Sequence, residues 1–489
     1  MVERLIEHPA TWLEVLHLAI TLGIAVRVIM RRPGPGVALA WVAIVGILPY
    51  VGALLYLLFG EVRISKRRAR RIAERKGHYE ELVEWGIAEG LASVDWSKHP
   101  PEAAGMDRLG RKAVGFPTVT GSRDELFSDT GEVLDAIARD VDAAEKSVLM
   151  EFYIWNEGGK ADEVLEALIR AAERGVKCRV LVDAVGGRPW WKGKQPKRLR
   201  RAGVQVRAAL PVGLYRLLFA RTDLRMHRKI VVIDGKVAWT GSMNMVDPRF
   251  FKQEANVGEW VDAMARMEGT VVGPLSLVML GDWMNECGET IHDALRDLGH
   301  ENVRPNGTGD VQVVPSGVGE TSDGLLQMLL ATIHSAKEEL ILTTPYFVPD
   351  ESMLRALRGA AGRGVKVDLI VPEKVDSLLT RYASRSYYDE LMETGVRIQL
   401  YRGGLLHTKS ITADRCISMF GTVNLDMRSL WINYEVALFV YGREFGEHLH
   451  ELQASYLEDS VVLDPDEWEK RSRRERLMEN TFRLVSPIL

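Results

Sequence analysis

One spacing occurs twice in this chain, and it requires a fold built from two copies of one unit. His227-Arg228-Lys229 is followed by Asp234 and then by Gly241-Ser242-Met243-Asn244. His407-Thr408-Lys409 is followed by Asp414 and then by Gly421-Thr422-Val423-Asn424. The pattern His-x-Lys-x4-Asp-x6-Gly-[Ser/Thr]-x-Asn is the same in both copies, 180 residues apart. A single copy would be weak, because a strand-edge histidine is usually structural and Asp-Gly is usually only a turn. Agreement at six positions makes chance a poor explanation. Two histidines, each with a lysine beside it, suit covalent handling of a phosphodiester. One imidazole attacks phosphorus while the other protonates the leaving alkoxide.

Each motif reads as a β-hairpin. Residues 230–233 (Ile-Val-Val-Ile) are β-branched and apolar, and Asp234-Gly235 is a two-residue turn signal. Alternation puts His227 and Lys229 on one face of the strand. A two-residue loop pairs Ile233 with Lys236 and, counted back, sets Ser242 opposite His227. The same count around Asp414-Arg415 sets Thr422 opposite His407. The expected patch therefore holds imidazole, ammonium, hydroxyl and the amide of Asn244 or Asn424, as an anionic phosphoryl group needs. Asp234 and Asp414 belong to the motif, but they lie at the turn, away from the histidine face, where a structural role is expected. A histidine nucleophile also needs its second nitrogen held by an acceptor. Glu254 and Glu435 sit in nearly matching places and are read as those acceptors.

The paired motifs resemble the signature of the phospholipase D superfamily. Residues 240–249 (Thr-Gly-Ser-Met-Asn-Met-Val-Asp-Pro-Arg), 404–410 (Gly-Leu-Leu-His-Thr-Lys-Ser) and 421–431 (Gly-Thr-Val-Asn-Leu-Asp-Met-Arg-Ser-Leu-Trp) resemble, more narrowly, bacterial cardiolipin synthases of the two-motif type. The resemblance extends over nearly the whole chain. It implies a phosphatidyltransferase that joins one phosphatidylglycerol to another, releases glycerol and passes through a phospho-histidine. His227 is then the nucleophile, His407 the acid, and Lys229 and Lys409 the partners of the nonbridging oxygens. Phosphatidylglycerol and cardiolipin in the bilayer are the implied partners; no cofactor and no metal are expected, and a homo-oligomer stays open. The motifs alone do not separate this from another phospholipase D-type phosphatidyltransferase or hydrolase, or more distantly from a lipid-binding scaffold. A nuclease is disfavoured, because a net charge of −4 offers no basic surplus for nucleic acid.

Around the motifs the chain repeats. Ala143-Ala-Glu-Lys-Ser147 leads to the apolar run 148–155, a helix, Arg174-Gly-Val-Lys177 and the strand 178–182. Ser335-Ala-Lys-Glu-Glu339 leads to 340–347, a helix, Arg363-Gly-Val-Lys366 and the strand 367–371. Gly203-Val204 and Gly395-Val396 mark the next matching turn. Each half reads as a mixed α/β sandwich, and each brings one histidine to a shared interface. The expected fold is α/β: two pseudo-twofold-related sandwich domains, 119–300 and 301–489, behind a charged helical connector, 62–118, and a membrane anchor, 1–61.

The anchor is read as a transmembrane helical hairpin. Residues 37–59 carry no charge over 23 positions, long enough to span a bilayer. Residues 13–30 are the weaker candidate, since Glu14, His17 and Arg27 interrupt them, and they read either as a second span or as a helix lying in the interface. Arg63, Lys66, Arg67, Arg68, Arg70, Arg71, Arg75 and Lys76 follow, a basic run suited to anionic headgroups and to the inner face. Three scattered cysteines fit a reducing compartment. The expectation is a multi-pass protein of the bacterial inner membrane with a cytoplasmic catalytic domain. Trp190-Trp191-Lys192 and residues 213–221 mix aromatic, apolar and basic residues, and read either as core or as surface dipping into headgroups; residues 470–489, basic with an apolar end, read as a further membrane contact.

Overall fold

The computed structural model describes residues 9–484, apart from 33, 49, 62–65, 214–220, 222, 290–294, 296, 299–301, 321 and 322. The chain forms two compact units. One comprises Met1–Arg67 with Val212–Asp223, the other Arg68–Pro211 with Leu224–Leu489.

The N-terminal unit reverses the expected ranking of the two apolar segments. The first is one continuous helix, Pro9–Arg31. Among the described residues its stretch Trp12–Arg31 is the one helix long and apolar enough to cross a membrane. The second is broken into helices Pro35–Ile47 and Val51–Leu55 and the π-helix Tyr56–Gly60. Leu48, which precedes Pro49 in sequence, turns out of the helix at φ −107° and ψ 90°. Proline disfavours the helical region for the residue before it and has no N–H to continue the ladder. Arg27, which had weakened the first segment as a span, is neutralised by a bidentate pair with Glu61, at 2.5 and 2.8 Å.

The second unit is organised by one sheet. The first half supplies β1 (Val119–Phe127), β2 (Ser147–Phe152), β3 (Lys177–Asp183), β4 (Gln205–Ala209), β5 (Ile230–Ile233), β6 (Val237–Gly241), the short β7 (Trp260–Val261) and β8 (Met264–Gly269). The second half supplies β9 (Gly309–Ser316), β10 (Glu339–Thr343), the short β11 (Phe347–Val348), β12 (Lys366–Pro372) and β13 (Arg397–Tyr401). It continues through the short β14 (Leu405–Leu406), β15 (Ser410–Ala413), β16 (Ile417–Gly421), the short β17 (Leu425–Asp426), β18 (Glu435–Tyr441) and β19 (Ser460–Val462).

Across the sheet the order is β4-β3-β2-β5-β6-β8-β1, then β9-β18-β16-β15-β10-β12-β13-β19. Seven strands repeat in mirrored order on either side of the antiparallel β1–β9 join. The two sandwiches thus share a single 15-stranded sheet. The local reasons match as well. Gly175 and Gly364, at φ 92° and 90°, end the helices that feed β3 and β12, a left-handed position that favours glycine.

Helices cover both faces. Thr130–Asp142 and Lys160–Glu173 pack on one face of the first half, and Gly324–Ser335 and Glu351–Gly362 on the matching face of the second. Val272–Cys287 and Arg443–Glu458 pack on the other face, in a core that takes Leu275 and Met279 from the first half and Leu438 and Phe445 from the second. The connector is docked too. Ala103 and Met106 of the helix Ala103–Val114 are buried against Val314 and Leu325. In the helix Lys66–Ala88, Arg68 donates to Glu286 at 2.6 Å and Arg71 to the Asn285 carbonyl at 2.6 Å. Those two cations of the basic run therefore bind the globular unit instead of facing headgroups.

Trp190 is core, 2% exposed. Most of residues 213–221 lies outside the described residues. The C-terminal helix Arg473–Leu484 packs on the helix Leu378–Arg385, where Phe482 stacks on Tyr382 with ring centroids 5.5 Å apart.

Candidate active site

The hairpins depart from expectation by one residue. Asp234 and Gly235 both take positive φ, and Lys236 N–H donates to the Ile233 carbonyl at 2.9 Å, as a two-residue turn demands. The ladder then pairs Ile233 with Val237 and Ile230 with Thr240, leaving Lys236 as an extra residue. The second copy does the same: Ala413 pairs with Ile417 across Asp414, Arg415 and Cys416. Ser242 and Thr422 are therefore not set directly opposite the histidines.

What holds the histidines is an exchange between halves. His227 N–H donates to the Tyr434 carbonyl at 2.9 Å, and Met226 bridges in parallel to Tyr434. His407 N–H donates to the Val261 carbonyl at 2.7 Å, where β14 runs parallel to β7. Each histidine segment thus lies along a segment of the other half that carries a buried carboxylate. His227 Nδ1 meets Glu435 Oε2 at 2.8 Å, and His407 Nδ1 meets Asp262 Oδ1 at 2.7 Å. The motif hydroxyls serve those carboxylates: Thr422 donates to Glu435 and Ser242 to Asp262, each at 2.6 Å.

Of the two expected acceptors, Glu435 is in place and Glu254 is not. Glu254 is exposed on the turn Gln253–Ala255, and Asp262 holds the nitrogen assigned to it. Asp262 and Glu435 match in the sheet, each two residues before the partner of the motif glycine: Gly241 pairs with Met264 and Gly421 with Ala437.

Lys229 and Lys409 are fully buried, and each ammonium donates to the carbonyl of its own histidine, Lys229 at 2.7 Å. Asn244 and Asn424 are buried beside them; the Asn244 carbonyl accepts Ile154 N–H at 3.1 Å. Asp234 and Asp414 stand away from the site. Asp234 accepts the backbone N–H groups of Glu145, Lys146 and Ser147 at 2.9, 2.7 and 2.8 Å. Asp414 does the same for Lys337, Glu338 and Glu339. Both tie the hairpin to the entrance of β2 or β10.

Two family matches cover both histidine motifs and the N-terminus. The family described as cardiolipin synthase, PLD-like domain, matches residues 137–262 and 329–455, and a phospholipase D-nuclease N-terminal family matches 19–61. Cardiolipin synthase A of Yersinia pseudotuberculosis serotype O:1b (strain IP 31758) is 42% identical over 484 residues, 98% of each chain. That of Yersinia pestis bv. Antiqua (strain Angola) is equally similar. This chain belongs to the bacterial cardiolipin synthase family of the phospholipase D superfamily. As a member it is a membrane-associated phosphatidyltransferase. Among solved structures, phosphatidylserine synthase of Haemophilus influenzae Rd KW20 shares the fold, with a TM-score of 0.57 at 14% identity, covering 79% of this chain and all of that one.

The electrostatics of this family member follow from burial. Desolvation holds both imidazoles down, to about 4, against the pull of Glu435 on His227 and of Asp262 on His407. Burial would raise the Asp262 carboxyl, but His407, Lys409 and Ser242 outweigh it and bring it to about 2. For Glu435 burial is likewise overcome, by His227 and Lys229. Burial lowers Lys229 to about 8 and Lys409 well below its ordinary value. The site thus holds two ionised carboxylates and two neutral imidazoles. Each imidazole donates Nδ1–H to a carboxylate and turns its Nε2 lone pair outward.

Sequence reasoning missed the aromatic walls. Tyr153 meets the His227 ring at 5.0 Å and Trp260 the His407 ring at 4.4 Å, between centroids. Lys252 Nζ lies 5.3 Å from the Trp260 ring centre and 3.0 Å from Asp376, which also accepts from Tyr346 Oη at 2.7 Å. Tyr153 and Tyr346 fall in the apolar runs 148–155 and 340–347, whereas no sequence pattern marks Trp260, Lys252 or Asp376.

Proposed function

We propose that the protein makes cardiolipin from two phosphatidylglycerols. The observation that carries this is the pair of histidines, each with Nδ1 held by a buried carboxylate of the other half. In the first displacement His227 Nε2 bonds to phosphorus as the phosphorus–oxygen bond to glycerol breaks, and His407 gives its proton to the departing oxygen. In the second, a glycerol hydroxyl of another phosphatidylglycerol attacks the phosphatidyl-histidine. His407 takes that proton, and the nitrogen–phosphorus bond breaks. One phosphodiester replaces another, so no nucleotide is consumed. Lys229, Lys409, Asn244 and Asn424 stabilise the charge on the nonbridging oxygens, a contribution of about 2–4 kcal/mol for each donor in a closed site. The relatives' name as cardiolipin synthases supports the product.

Labelled phosphatidylglycerol supplied to the purified protein gives cardiolipin and free glycerol in equal amounts. Phosphatidic acid without cardiolipin would overturn the reading.

The anchor is read as placing the catalytic unit on the cytoplasmic face, because the basic residues 63–76 outnumber Arg31 and Arg32. A cysteine placed at exposed Val462 escapes a membrane-impermeant reagent on intact cells; its labelling there reverses the topology.

A further inference from the structure

Duplication makes each half a reference for the other, and the halves differ beyond the ends of β3 and β12. Trp155 and Phe347 are matching residues: Trp155 bridges in parallel to Met245, and Phe347 pairs in parallel with Leu425. In the first half the space beside Trp155 is filled. Trp190 stacks on it with centroids 5.1 Å apart and is anchored by its Nε1–H on Gln195 Oε1 at 2.8 Å. In the second half Phe347 meets Tyr387 edge-on at 6.3 Å, and a cavity of about 640 Å³ opens.

The cavity has an apolar wall and a cationic mouth. Phe347, Val371, Leu400 and Trp468 line it, with Leu378, 67% exposed, at its edge. Two exposed cations, Lys374 and Arg381, also line it, and among the described residues neither makes an ion pair. The other charges there are already matched, Glu373 with Arg402 at 3.0 Å and Arg385 with Glu479 at 2.7 Å. Val257, on another side of the cavity, packs with Trp260, which in turn covers His407.

We propose that this cavity is the subsite for the acceptor, a second anionic phospholipid. Lys374 and Arg381 pair with its phosphate, and the apolar wall takes its glyceride end. The proposal rests on the reaction argued above. The acceptor's own phosphate lies a glycerol's length from the attacking hydroxyl. It cannot share Lys229 and Lys409 with the phosphorus being transferred, so its charge needs a cationic site of its own. In the first half Trp190 fills the matching space, so among the described residues the duplication offers this subsite once.

The test compares two reactions of the full chain in vesicles of phosphatidylglycerol diluted in a zwitterionic lipid. Exchange of labelled free glycerol into phosphatidylglycerol passes through the same covalent intermediate but uses no lipid acceptor. Cardiolipin formation uses one. In Lys374→Gln/Arg381→Gln the ratio of cardiolipin formed to glycerol exchanged falls about tenfold, the loss expected for a charge-assisted contact. The fall appears as a raised KM for phosphatidylglycerol in cardiolipin formation. An unchanged ratio, with both reactions intact or both reduced together, overturns the subsite. A wild-type protein that exchanges glycerol without making cardiolipin overturns the reaction itself, and the subsite with it.

Discussion

Asp262 and His407, 145 residues apart in the chain, are joined at 2.7 Å, so a carboxylate of the first half orients the imidazole of the second. Asp262→Asn keeps the shape but removes the charge that selects the Nδ1–H tautomer. Turnover should fall about a hundredfold or more, with KM within a few-fold, as for a group that orients a catalytic base. Glu435→Gln should do the same through His227. A drop below twofold in either variant would mean that the carboxylates only pack.

His227→Ala and His407→Ala should each leave less than about a hundredth of the activity, the minimum expected from a positioned acid–base group. Acid-sensitive, base-stable phosphate should be trapped on a histidine, and on His227 by preference. Phosphate found on a serine would refute the covalent step.

Substrate binding should take up protons at pH 7. Burial holds both imidazoles near 4, so both are unprotonated at neutral pH. The acid role needs one proton, and an arriving phosphodiester anion raises the imidazole facing it. Calorimetry of a non-transferable phosphodiester lipid, in buffers of different ionisation enthalpy, should report about one proton bound. The same depression sets a stability slope. Below 6.5 the unfolded histidines bind protons that the folded ones refuse down to about 4, so stability falls as pH drops through that window. No proton uptake in the calorimeter would remove His407 from the acid role.

Asp234→Asn should lower stability by about 1–3 kcal/mol, because its carboxylate satisfies three backbone N–H groups. The folded fraction should keep its specific activity. Loss of turnover without a shift in melting temperature would make this residue catalytic.

Much of this was legible in the sequence because it is periodic. The repeat, its strands and the place of Glu435 beside a histidine follow from apolar runs and from spacings shared by two copies. Asp262 was hidden by length. Twenty residues separate Ser242 from Asp262, but only thirteen separate Thr422 from Glu435. Matching by nearest position therefore selected Glu254. The hairpin register was hidden because a turn signal specifies the turn, not the extra residue after it: Lys236 closes the turn and then drops out of the ladder. The break in the apolar segment is hidden because a stretch without charge can still contain a helix-ending proline, here Pro49.

Duplication normally frees one copy to drift while the other keeps working. The crossed pairs His227–Glu435 and His407–Asp262 withdraw that freedom. A lesion at Asp262 should silence a histidine that lies in an intact motif, and a lesion at Glu435 should do the reverse. Each motif thus depends on a carboxylate that lies in the other half, and neither half holds a complete histidine–carboxylate pair of its own.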